Sequence, residues 1–63
     1  MAQQLTPGLW TVDFEVLETG VELSVFEIKA IDGDHAERLA REFLNPQFTY
    51  RCTALDRKRN ARA

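Results

Sequence analysis

The 63-residue sequence predicts a small α+β domain in the order ββαβ, a three-stranded sheet with one amphipathic helix packed on one face. Three observations predict it. "LWTVDFEVL" (9–17) and "FTYRCTAL" (48–55) alternate apolar and polar residues with the period of two that marks a half-wet strand. Between them, "DHAERLAREFL" (34–44) spaces its apolar residues at helical intervals. Turn residues at "ETG", "IDGD" and "NP" separate these runs.

In the first strand, Trp10, Val12, Phe14 and Val16 share one face, and Thr11, Asp13 and Glu15 share the other. The second strand follows Glu18-Thr19-Gly20 and breaks this pattern: Val21, Leu23 and Val25 have one parity, Phe26 and Ile28 the other. The loop decides which set is buried, because a one-residue slip exchanges the faces. A three-residue loop with Gly20 in the left-handed conformation pairs Phe14 with Ser24, Val12 with Phe26 and Trp10 with Ile28. It leaves Leu9, Leu17, Val21, Leu23 and Val25 on the uncovered face, and this is the expected arrangement. A two-residue loop pairs Val16 with Leu23 and Phe14 with Val25, and leaves mainly Phe26 and Ile28, with Leu9 and Leu17 again, outside. A bulge near Val25–Phe26 admits parts of both.

"IDGD" (31–34) is a loop, with Asp34 as N-cap and Glu37 completing a capping-box-like pair. The helix is expected over about His35 to Leu44, with Ala36, Leu39, Ala40, Phe43 and Leu44 forming its apolar stripe. Glu37–Arg41 and Arg38–Glu42 are i,i+4 ion pairs worth a few tenths of a kcal/mol each. Asn45-Pro46 ends it. A third strand, Phe48 to Leu55, places Phe48, Tyr50, Cys52 and Ala54 on one face. If it runs parallel to the first strand the sheet is mixed with order 2-1-3; pairing beside the second strand instead gives 1-2-3.

The organisation is then a lead-in (1–8), one domain (9–55) and a basic C-terminal tail (56–63). Residues 1–55 hold four basic and nine acidic residues, a net of −5; residues 56–63 hold four basic and one acidic, a net of +3. An acidic body with a basic tail hints at an interaction tail. One cysteine (Cys52) excludes an intrachain disulfide, and one Cys with one His (His35) speaks against zinc. There is no Gly-rich phosphate loop and no metalloprotease or nucleophile-elbow motif. "DGDH" (32–35) is too short for a calcium loop. Cys52 reads as a packed thiol. No apolar run reaches the ~20 residues of a membrane span, and the N-terminus lacks the features of a signal peptide, so a cytoplasmic protein is expected. No catalytic residue, metal or cofactor is expected, and the chain is read as non-enzymatic.

"VFEIKAIDGDHAERLAREFL" resembles the strand-into-helix form common in small proteins encoded by bacteria and their phages, a form that specifies no family. The expectation is therefore a protein–protein interaction domain, a modulator or inhibitor of a larger protein, a homodimer, or both. Leu17, Val21, Leu23 and Val25 would make the apolar contact, with Asp13, Glu15 and Glu22 as polar rim. The runner-up is a nucleic-acid-binding module using Tyr50 and Arg51 with Arg57, Lys58, Arg59 and Arg62, opposed by the acidic body.

Overall fold

A computed structural model describes residues 7–60, with backbone alone at 59 and 60. Four elements follow one another: β1 (Gly8–Val16), β2 (Glu22–Ala30), α1 (Gly33–Arg41) and β3 (Tyr50–Asn60). They form a three-stranded sheet of order β2-β1-β3 with the helix on one face, the expected ββαβ fold.

Both β2 and β3 run antiparallel to β1. The parallel pairing of β3 with β1 considered from sequence is therefore corrected. The reason is the direction of the helix. A helix leaving the end of β2 carries the chain back to where β2 began, so the next strand runs parallel to β2 and antiparallel to the strand between them. β3 also starts later and ends later than expected. Phe48 lies in the preceding loop, and residues 56–60, read from sequence as tail, belong to the strand. Two extra residues in β3, Thr53 and Lys58, are implied by register shifts against β1 between Asp13/Phe14 and Leu9/Trp10.

The hairpin loop has four residues. Val16 N–H donates to Val21 O at 2.8 Å, which leaves Leu17–Gly20 as the connection, and Phe14 pairs with Leu23. This corrects both the three-residue and the two-residue loop. Gly20 does take the left-handed conformation, at φ 76°. Further along, Trp10 pairs with Ile28 and Val12 with Val25, so Phe26 and Glu27 together oppose Thr11. The second strand thus contains the bulge that its parity break suggested. Leu23 and Val25 pack on the core before it, and Ile28 and Ala30 are buried after it.

The loop is also tied to β3. Leu17 N–H donates to Thr49 O at 2.8 Å, and the Glu18 carboxylate accepts from Thr49 N–H at 2.9 and 3.0 Å. That backbone bond holds the Glu18 carboxyl below its ordinary pKa of 4.5.

The helix begins two residues earlier than expected. Asp32, not Asp34, is the N-cap, accepting from His35 N–H at 2.8 Å. His35 Nδ1 accepts in turn from Ile31 N–H at 3.3 Å, so the partner three residues on is His35 and not Glu37. Glu37 pairs with Arg41 at 2.8 Å, as its spacing predicts. Gly33 permits a close approach: a Cβ there would lie 3.1 Å from Leu55 Cδ1. Ala36 and Ala40 are fully buried and bring the helix down onto Val12 and Phe14. After Arg41 the chain tightens into i→i+3 bonds, Glu42 N–H to Leu39 O, Phe43 N–H to Ala40 O and Leu44 N–H to Arg41 O. The change of phase turns Phe43 outward, 73% exposed, so it is not part of the core stripe; Leu44 stays half-buried against the core.

Phe14→Ala is expected to cost about 3–5 kcal/mol, because a fully buried ring leaves a cavity. Phe43→Ala, at an exposed site, is expected to stay within about 0.5 kcal/mol of wild type. Urea unfolding followed by circular dichroism separates the two.

The Glu18 carboxylate makes its contribution to stability fully above the ordinary value of 4.5 and loses it as pH falls through its lower folded value. Glu18→Gln should therefore flatten the acid limb of the stability–pH curve, measured by thermal melts below about pH 5.

Candidate functional site

The two sheet faces differ in kind. Even-numbered β1 residues Trp10, Val12, Phe14 and Val16 face the helix side, joined by Leu23, Val25, Ile28, Tyr50 and Cys52. The odd-numbered residues face away. At the hairpin end this open face is polar: Glu15 is flanked by Glu22 on β2 and Arg51 on β3, and Asp13 by Ser24 and Ala54. Arg51 pairs with Glu15 at 2.5 Å, which offsets the like charge of Glu22 opposite. Ser24 Oγ donates to Asp13 Oδ1 at 2.6 Å.

At the other end the open face is apolar. Leu9, Trp10, Thr11, Phe26, Glu27 and Lys58 line a cleft of about 290 Å³. Thr11, nearly buried, forms its floor, and Phe26 stands beside it 68% exposed. The bulge creates this arrangement. Glu27 has φ 57°, a left-handed backbone that disfavours side chains other than glycine. That twist puts Phe26 on the open face between core residues Val25 and Ile28. On the helix side, the Trp10 ring lies beside Gly33 and its Nε1–H donates to Ala30 O at 3.0 Å. At the rim, Lys58 pairs with Asp56 at 2.7 Å, and that hydrogen bond and charge raise the Lys58 pKa.

The structure redistributes the residues expected to bind a partner. Leu17 and Val21 are exposed, but at the hairpin end. Leu23 and Val25 lie on the helix-covered face and pack against the core, because the four-residue loop shifts the pairing by one residue toward the hairpin. Asp13, Glu15 and Glu22 do share the open face. The residues of the nucleic-acid reading are not brought together. Tyr50 is half-buried, its ring edge-on to Phe14 at 6.3 Å and its hydroxyl accepting from Asn45 N–H. Arg51 is on the opposite face from Tyr50, paired with Glu15. Arg57 lies against Gly8, where an added Cβ would collide with it. Lys58 is on the cleft rim, whereas the Arg59 side chain and Arg62 lie outside the described residues.

Cys52 is half-buried, and burial pushes its thiol pKa up, with the nearby Glu37 carboxylate adding to the effect. A thiol so placed stays protonated and is a poor nucleophile. Among the described residues no group of three or more His, Cys, Asp or Glu is placed to hold a metal ion. No helix among them is long and apolar enough to cross a membrane.

The cleft residues Leu9, Phe26, Glu27 and Lys58 escape the sequence reading as a set, because they come from three strands. The parity break at Val25–Phe26 is the one local signal that points to them.

Replacing Glu27 by Gly should relieve the left-handed strain, on the order of 1 kcal/mol, partly offset by glycine's entropy, whereas Glu27→Val should destabilise. Denaturant midpoints of the two variants against wild type check this. No protein-family model, no curated protein and no solved structure matches the chain.

Proposed function

We propose that this chain is a small, non-enzymatic protein–protein interaction domain that modulates a larger protein through the open face of its sheet. One observation carries the reading. Phe26, a large aromatic side chain, is held out of the core beside an apolar cleft by a backbone bulge that strains Glu27. Strain at a non-glycine position persists where the surroundings impose it, and such positions cluster at functional sites. Aromatic anchors at the centre of a contact supply much of the energy of an interface. Leu9 extends the apolar surface, and Lys58 with Glu27 provides a polar rim of both signs.

The acidic row at the hairpin end, Glu22, Glu15 and Asp13, continues this face, so a partner covering both regions would present a basic patch next to an apolar one. Exposed Leu17 and Val21 at the hairpin tip are available as secondary contacts.

Capture from a lysate of the source cells by immobilised wild type, Phe26→Glu and Phe43→Glu tests the proposal. A protein retained by wild type and Phe43→Glu but lost with Phe26→Glu is the expected result. Equal retention by all three removes the Phe26 surface from the account. Salt-dependent retention of nucleic acid with no protein replaces the proposal with the nucleic-acid reading.

A further inference from the structure

We propose that the outer edge of β3 pairs antiparallel with the same edge of a second copy of this chain, in one register: Arg51 opposite the partner's Asp56, and Cys52 opposite the partner's Leu55.

β3 is an edge strand of eleven residues, and among the described residues no further strand lies beside it on the side away from β1. The direction of its backbone groups follows from the ladder. Leu17 N–H bonds to Thr49 O on the β3 side, whereas Val16 N–H bonds to Val21 O on the β2 side. Odd-numbered β1 residues therefore bond toward β3. Their partners Arg51, Ala54 and Asp56 turn inward, and Tyr50, Cys52, Leu55 and Arg57 turn their N–H and C=O groups outward. The Tyr50 carbonyl accepts from Arg41 Nη1 at 3.5 Å.

The extra residue at Thr53 makes this pattern self-complementary. Without it, Cys52 and Leu55 would point to opposite faces; with it, both face the helix side and both turn their backbone groups outward. A two-fold axis perpendicular to the sheet then brings Cys52 onto the partner's Leu55 and Tyr50 onto the partner's Arg57 as hydrogen-bonded pairs. Arg51, paired with Glu15 in its own chain, and the partner's Asp56, paired there with Lys58, meet on the open face as a closely spaced pair of opposite charge that joins the two ion pairs. The bulges coincide, so strand spacing matches in both copies.

Competing registers fail on physical grounds. Centring the pair on Arg51 or on Asp56 sets like charges directly opposite each other, which is destabilising. Centring it on Cys52 or Leu55 loses both face and hydrogen-bond phase at the bulge. The β2 edge is interrupted near its middle by the left-handed backbone of Glu27. Charged edge strands ordinarily resist pairing. Here like charges oppose each other in the Arg51- and Asp56-centred registers, and opposite charges meet in the proposed one.

The result is a six-stranded sheet with both helices on one face. Leu55, 41% exposed in a single copy, and half-buried Cys52 are covered between them, and both Phe26 clefts stay open.

The test combines mass with a site-directed link. Sedimentation equilibrium of the wild-type chain should give a concentration-dependent dimer. Wild type is then mixed with a Cys52→Ser/Leu55→Cys variant, so that each chain carries one thiol. In the proposed register, the Cα atoms of Cys52 and the partner's position 55 lie about 5.5 Å apart, within disulfide range. Mild oxidation should give a mixed disulfide heterodimer, identified by mass spectrometry. A Cys52→Ser/Asp56→Cys variant, with its thiol on the other face, should give several-fold less. A monomer at the highest attainable concentration overturns the proposal. A dimer that links no better through position 55 than through position 56 overturns it as well, since the contact then lies in another register or at another surface.

Discussion

Val12 and Phe14 are fully buried on the strand to which both others pair, and the rest of the structure is arranged around that constraint. A chain of this size encloses only a small core, so its large apolar side chains have to lie where three strands and the helix converge. β1 is the one strand with neighbours on both sides. Ala36 and Ala40 complete the arrangement by lacking bulk: a helix presenting alanines can approach the sheet closely enough to cover Phe14. Arg41 adds a cation over the Phe14 ring at 5.3 Å, and Tyr50 meets its edge.

The same constraint accounts for the irregularities. β2 must place Leu23 and Val25 on the core near the hairpin and Ile28 and Ala30 on the core near the helix, and these sets differ in parity. A continuous strand cannot do both. The bulge at Phe26–Glu27 reconciles them, with one residue in a strained backbone and one phenylalanine left outside. The exposed aromatic group is therefore a by-product of packing that can also serve as an anchor. In β3, the extra residue at Thr53 likewise keeps both Cys52 and Leu55 on the helix side, and the edge acquires its self-complementary pattern from that correction.

The open face and the edge give the domain two surfaces with separate chemistry. The apolar cleft lies at one end of the open face and the acidic row at the other, while β3 is an edge strand carrying charges of both signs.

The sequence by itself determined the order ββαβ, the buried face of β1, the glycine in the hairpin loop and the break in β2, because each rests on local periodicity or on a backbone preference that one residue carries. Only the tertiary structure decided the loop length, and with it the fate of Leu23 and Val25. A single residue of register is worth little in local turn energy and a great deal in burial. It also decided the helix cap, since Asp32 and Asp34 are locally equivalent until Gly33 packs beneath the helix against Leu55. The length of β3 was hidden for a similar reason: Arg57 and Lys58 have the composition of a solvated terminus, yet β1 offers backbone groups as far as Gly8, and β3 continues until they are paired. The cleft was the least legible feature, because Leu9, Phe26 and Lys58 are distant in sequence and meet only when three strands are in register.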